Sequence, residues 1–485
     1  MIYVTPIGFA LIPLSLAIFF LRPQHLGPWA IVMSAFQAAS VLNIEGGFPL
    51  GVSPYFFVLI LIAIRFVPLW LTGKCGFDTA DVAIEITQPL LILTIWAIAS
   101  AFLLPWLFAG VGVDVPRLGM DSPHTSPLQW SMSNAAQAMY VTLDAIFVIY
   151  LLWCGRMHGY FERLVFAFVV SGAIASAIGA YQYVAHYSGL PYPTDFFNSN
   201  PGWRQLMSQQ LAGISRISAT FIEPSTAGAF FAVWSTFLLF LAAGGSVGWA
   251  WPLFVIGVIM VFLTTSTTGY LIGGLVIALF MWQEFARVFV SGRISARGMF
   301  SLMLIVGGIT AAALFIPNFS ALISKILWEK SDSQSGRDRA TTMWEALRIT
   351  AETCGMGAGL GSNRPSGMFF YIASNLGLPG LMLFGLMIWA IYKTLSAALR
   401  SSPALDRARG YLGAAGWATA ISLTALAVTA GDITGSQLWV CVGVAATGSR
   451  AVWLGRQDAE EIEPPLLVIE PMPAHIALHE EYNIS

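Results

Sequence analysis

Long apolar runs restrict this chain more than any other feature. A helix that crosses a bilayer needs about 20 predominantly apolar residues, with a range of roughly 17–25. Such runs recur near 5–21, 28–43, 53–72, 87–110, 132–153, 164–184, 220–243, 248–265, 267–283, 298–317, 367–392, 411–430 and 435–454. The expected fold is therefore an all-α polytopic membrane protein of about 12–13 transmembrane helices, with a large loop between two late helices. The count is open by one, because 28–43 is short and interrupted by Gln37 and Asn43, and only Thr265-Ser266-Thr267 separates two later runs. Charged residues make up 10% of the chain and mean hydropathy is +0.73, against about 25% charged residues in soluble proteins.

No repeat or mid-chain boundary is visible. Residues 1–455 read as one multispanning domain, and 456–485 as an acidic, Pro-containing, disordered tail. The first apolar run leads into further apolar runs rather than a small-residue cleavage site, so it is expected to stay in place. The balance of 23 basic against 25 acidic residues points to neither nucleic acid nor acidic partners. Cys75, Cys154, Cys354 and Cys441 are scattered without paired spacing, which suggests neither a disulfide framework nor a metal site.

Lys and Arg accumulate in short cytoplasmic connections. Arg156 and Arg163, then Arg287, Arg293 and Arg297, then Lys393, Arg400, Arg407 and Arg409 mark alternate connections. The tail is thereby placed in the cytoplasm, and loops near 111–131, 185–218 and 318–366 on the outer side.

The last of these loops carries Lys325, Lys330, Arg337, Arg339, Arg348 and Arg364 on the side where basic residues are normally sparse. Two readings are open. Long loops translocate whatever their charge, and Glu329, Asp332, Asp338, Glu345 and Glu352 are available as partners. Alternatively the arginines form an anion site, since guanidinium groups grip phosphate through paired, charge-assisted hydrogen bonds. Over 337–352, Ala340, Met343, Trp344, Leu347 and Ala351 recur as one helical face, with Arg337, Thr341, Glu345, Arg348 and Glu352 opposite. Such a helix would lie on the bilayer surface or cap the bundle, with Trp344 at headgroup level; a plain surface helix pairing Glu345 with Arg348 is the simpler alternative.

Next, Gly355, Gly357, Gly359 and Gly361 alternate before Ser362, Asn363 and Arg364. Glycines let backbone N–H groups approach an anion, and they equally suit a loop that re-enters the membrane. No Walker lysine accompanies them.

Arg216 stands just outside the apolar run at 220–243 and Glu223 just inside it. A carboxylate at the lip of a spanning helix is a functional candidate by default, and desolvation there suits a general base. A salt bridge to Arg216, or an N-terminal helix charge beside Pro224, would explain Glu223 as well. His186 and Asp195 are alternative bases. Asp144, inside a span, reads as a polar-network residue; His124 and Asp121 have no usable pattern.

Together, Arg216 before "FIEPSTAG", then "LTTSTTGYLIGG", then the arginine and glycine loop closed by "SNLGLPGLMLFG", resemble the O-antigen ligase and polymerase superfamily over about residues 130–450. The resemblance implies a bacterial inner-membrane glycosyltransferase, active at its periplasmic face, that uses sugars carried on undecaprenyl diphosphate without a metal, cofactor or nucleotide sugar. Ligases of that superfamily carry a histidine near the end of the large loop. "GSNRPSGMFFYIASNLGLPG" has none, so the chain is more similar to Wzy-type polymerases, and Glu223 becomes the preferred base. On that resemblance Arg216, Arg337 and Arg339 would stabilise the departing diphosphate, with Arg348, Arg364, Gly357, Gly359, Gly361 and Asn363 binding a second lipid diphosphate or glycan. Implied partners are undecaprenyl-diphosphate-linked oligosaccharides, membrane lipid, a chain-length regulator and a flippase, with no nucleic acid. A ligase using another acceptor, or a lipid-linked-sugar transporter, is the alternative; a transporter would be expected to show more charge within its spans and an internal repeat.

Overall fold

The computed structural model describes residues 1–46, 50–114, 125–202, 210–211, 214–244, 247–292, 299–300, 303, 306–307, 310, 334–401, 406–429 and 431–462. Its helices are α1 (Pro6–Leu21), α2 (Leu26–Met33), α3 (Pro54–Leu71), α4 (Val82–Leu107), α5 (Met132–Cys154), α6 (Tyr160–Ser188), α7 (Thr194–Phe197), α8 (Pro224–Ala243), α9 (Ala250–Leu263), α10 (Thr267–Ser291), α11 (Gln334–Glu352), α12 (Met368–Arg400), α13 (Asp406–Val428) and α14 (Ser436–Ile462). Among the described residues nine helices are long and apolar enough to cross a membrane, with α1 and α9 apolar but shorter. The protein is an all-α polytopic membrane protein. The run near 298–317 lies largely outside the described residues, as do Lys325, Lys330, Asp121, His124 and the tail from 463 onward.

The run at 28–43 behaves differently from the expected span. Helix α2 ends at Met33, and the chain then leaves helical geometry to bond sideways: Ala38 N–H to Thr220 O at 3.0 Å, Asn200 N–H to Ala38 O at 3.1 Å and Val41 N–H to Val52 O at 2.8 Å. Gln37, Ser40 and Asn43 are the residues that favour this exit. Ser40 donates to Asn43 Oδ1 at 2.6 Å and Asn43 donates to Ser199 O at 2.9 Å.

Helix starts follow local chemistry. Thr5 and Ser53 cap helices that begin with proline, Asp81 caps α4, Ser131 and Asn134 form a capping box on α5, and Ser266 caps α10. Each satisfies N–H groups that the first turn leaves unbonded.

Three small antiparallel pieces decorate one end of the bundle. Strands β1 (Ile2–Val4), β2 (Leu42–Ile44) and β3 (Leu50–Val52) form a sheet with Tyr3, Asn43 and Gly51 in register. Strands β4 (Gly112–Asp114) and β5 (Thr125–Pro127), and β6 (Gln210–Leu211) and β7 (Ile214–Ser215), form two hairpins. The connection before α12 and the turn between α13 and α14 lie at this same loop end, joined by Gly367 N–H to Thr429 O at 2.7 Å.

The opposite end is locked by a buried ion pair. Arg450 of α14 donates through Nε to both Asp81 oxygens at 3.0 Å, and through a second nitrogen to Leu152 O at 2.5 Å, with the Phe77 ring 5.1 Å from the guanidinium. Helix α8 is the most buried of the described spanning helices, with nearly every residue from Pro224 to Ala242 inside the protein. Its first residues therefore emerge in the middle of the loop end.

Candidate functional site

The glycine ladder is a packed structural segment. Its N–H groups are taken by the protein: Gly357 by Thr353 Oγ1 at 3.0 Å, Ala358 by Ser374 O at 2.7 Å, Gly359 by Asn375 O at 2.9 Å, and Asn363 by Asn375 Oδ1 at 3.0 Å. Gly357, Gly359 and Gly361 have φ of 83°, 97° and 84°, the left-handed region that side chains disfavour. A Cβ on Gly359 would stand 2.7 Å from Ser100 O, and one on Gly357 2.7 Å from the Asn375 carbonyl. The ladder lies in an unwound turn of α12 at Gly377 (φ 70°, ψ −171°), where Leu378 N–H reaches Gly355 O at 2.8 Å and Trp96 reaches Leu376 O at 2.8 Å. The glycines expected to cradle an anion, with Asn363, instead dock the loop into the bundle and set the position of Arg364.

The arginines divide. Arg348 is a structural residue: it pairs with Glu345 at 2.8 Å and Glu352 at 2.7 Å, and donates to Gly112 O at 2.8 Å, tying β4 to α11. This is the pairing anticipated for a plain surface helix. On α11 Ala346 and Ile349 are buried, while Trp344 and Leu347 are exposed. Arg337 is exposed on the first turns of α11, and Arg339, also there, extends Nη1 to Val428 O at 3.4 Å.

Arg216 interacts electrostatically with Glu223 and with Arg339, which lies more than a hundred residues further along the sequence. Arg216 is fixed by its Nε–H bond to Thr264 O at 3.3 Å. Burial pulls its pKa below the ordinary guanidinium value, Glu223 and Tyr270 push it back up, and Arg339 adds to the fall; a guanidinium stays protonated throughout. Glu223 occupies the N-cap position of α8 without capping it, and accepts instead from the Ser225 hydroxyl. Two cations and one carboxylate thus feel one another's charge near the start of α8. Such a site can hold a doubly charged phosphate group and receive a proton beside it.

A second polar cluster, mostly invisible in the sequence reading, flanks Arg364. Both Arg364 and Asp432 act on the hydroxyls of Tyr140 and Tyr371. Thr434 bridges Asp432 Oδ1 at 2.7 Å and Gln137 Oε1 at 3.2 Å, and Tyr371 donates to Gln137 at 3.4 Å. Asp432 and Gln137 carry a sequence signal, as polar residues at the edge of or inside apolar runs; their meeting does not. Asp144 is fully buried and accepts from Tyr55 at 2.8 Å, which makes it part of a packed polar pair. His186 lines a cavity with Arg216, while Asp195 is exposed on α7. Among the described residues no group of three or more His, Cys, Asp or Glu is placed to hold a metal ion.

No family model and no curated protein matches this chain.

Proposed function

We propose that this chain is a membrane glycosyltransferase that polymerises oligosaccharide repeat units carried on undecaprenyl diphosphate, a Wzy-type member of the superfamily its motifs resemble. The observation that carries the reading is the electrostatic coupling of Arg216 to Glu223 in the same segment and to Arg339 of α11, at the loop end of the bundle. The charge distribution of the connections supports an outward orientation of that end, which on the resemblance would be the periplasmic face of a bacterial inner membrane.

In this reaction the diphosphate of the donor chain lies between Arg216 and Arg339, with Arg337 on the same helix turn completing the positive field. A hydroxyl of the acceptor repeat unit attacks the anomeric carbon. The new bond joins acceptor oxygen to that carbon, the bond from carbon to phosphate oxygen breaks, and undecaprenyl diphosphate departs with the electron pair. The hydroxyl proton passes to Glu223. Fixed cations at a developing negative charge supply their stabilisation without reorganising. A single displacement inverts the anomeric centre. Arg364 with Asp432 provides polar groups for the acceptor lipid, whereas Arg348 is engaged elsewhere.

The test is product identity. Purified protein, reconstituted with synthetic undecaprenyl-diphosphate repeat units in the absence of nucleotide and divalent metal, should yield a ladder of longer lipid-linked glycans. Transfer only onto a different acceptor would assign a ligase, and vectorial movement without a new glycosidic bond would assign a transporter.

A further inference from the structure

Beside Arg216 lies a cavity of about 350 Å³. It opens between the last turns of α6 and the segment that carries Arg216. Its walls include the rings of Tyr183 and Tyr192, the side chains of His186, Thr194 and Ser215, and Arg216 itself. The size falls in the range of small-molecule sites, about 300–1,000 Å³.

The walls are built rather than incidental. Tyr192 stacks with Phe197 at 5.9 Å and tilts against Tyr181 at 6.2 Å, and its hydroxyl donates to Ala219 O at 3.1 Å. The hydroxyl is thereby held by the backbone and the ring is held in one orientation. Tyr183 and Tyr187 pack at 4.8 Å. Gln182 accepts from the N–H groups of Ser218 at 3.0 Å and Ala219 at 2.8 Å, so α6 fixes the backbone two and three residues beyond Arg216. Oriented aromatic rings interspersed with hydroxyl, imidazole and guanidinium groups match a ligand with apolar C–H faces and a rim of hydroxyls, which is the chemistry of a sugar ring.

We infer that this cavity holds the sugar directly attached to the diphosphate, with Arg216 gripping the phosphate at its edge. The inference rests on the glycosyl-transfer reading above and adds to it the place of the donor sugar. The anomeric carbon would then lie at the boundary between cavity and clamp, since Arg216 lines the one and feels the charges of Glu223 and Arg339 in the other. Selectivity for the first sugar of the repeat unit would reside in Tyr183, His186, Tyr192, Thr194 and Ser215, while Arg216 reads the phosphate.

The experiment measures affinity for farnesyl diphosphate and for farnesyl-diphosphate-linked glucose, galactose, N-acetylglucosamine and N-acetylgalactosamine, using the full chain in detergent. At least one glycosylated probe should bind about tenfold or more tighter than the bare diphosphate. Thr194→Trp, which fills the cavity from an exposed position, and Tyr183→Leu, which removes a ring, should each abolish that preference and leave bare farnesyl diphosphate affinity unchanged. A preference that survives both substitutions, or no preference in the wild type while the bare diphosphate binds, would overturn the sugar cavity and leave the arginine clamp standing. Failure of every probe to bind would overturn both.

Discussion

Asn375 tests how the arginine loop is held. Its Oδ1 accepts from the N–H groups of Ser362 and Asn363, both at 3.0 Å, and its Nδ2 donates to Asn363 O and Tyr371 O, both at 2.9 Å. In Asn375→Leu, Ser362 N–H keeps its bond to Gly359 O at 3.1 Å, whereas both backbone groups of buried Asn363 lose the Asn375 amide that bonds them. At about 1–3 kcal/mol for each stranded group, the loss is between about 2 and 6 kcal/mol. Asn375→Asp should also destabilise, because it keeps the acceptor but turns an oxygen toward two carbonyls. Met382→Leu, at a position 63% exposed on the same helix, should stay within about 0.5 kcal/mol. Unfolding in detergent titrated with SDS, followed by tryptophan fluorescence, compares the three. An Asn375→Leu variant as stable as the Met382→Leu control would refute the view that this amide pins the loop.

Arg450→Met leaves the Asp81 carboxylate buried without its partner and should cost about 3–5 kcal/mol in the same unfolding assay, with much of the loss recovered in the Asp81→Leu/Arg450→Met double variant. Gly361→Ala places a Cβ 2.8 Å from Ser133 O, and overpacking of that kind should destabilise by about 1–3 kcal/mol. Arg348→Ala removes exposed ion pairs that contribute about 0–1 kcal/mol and the bond to Gly112 O that ties β4 to α11, about 1.5–3 kcal/mol for a charged donor, so stability should fall by about 1.5–4 kcal/mol in the same assay and turnover by far less than in Arg339→Ala.

The spanning helices were legible because hydrocarbon imposes one local rule that every run must satisfy alone. Where a partner decides, the sequence is silent: α2 stops at Met33 because strand-like bonds to Thr220, Asn200 and Val52 compete with the helix. The lip position of Arg216 and Glu223 was readable from the edge of an apolar run. That Arg339, not Arg348, joins them depends on where α11 docks, and that is set by Asn375, the ladder and the Arg348–Gly112 contact. Alternating glycines carry the same pattern whether their N–H groups face a ligand or a neighbouring helix; only the acceptors at Thr353, Ser374 and Asn375 distinguish the two. Asp432 and Tyr371 become functional candidates through Gln137, a residue of α5 about three hundred positions from Thr434 in the chain.

The most direct measurement is the single-turnover rate of glycosidic bond formation on a synthetic undecaprenyl-diphosphate repeat unit for wild type, Arg216→Ala, Arg339→Ala and the double variant. The account predicts a fall of about 10²–10³-fold for each single variant, the scale of losing one fixed donor at a developing charge. It also predicts a double variant well short of the product of the two losses, because both arginines serve one diphosphate. Wild-type rates in either folded single variant, or fully independent losses, would contradict the shared clamp at the centre of the account.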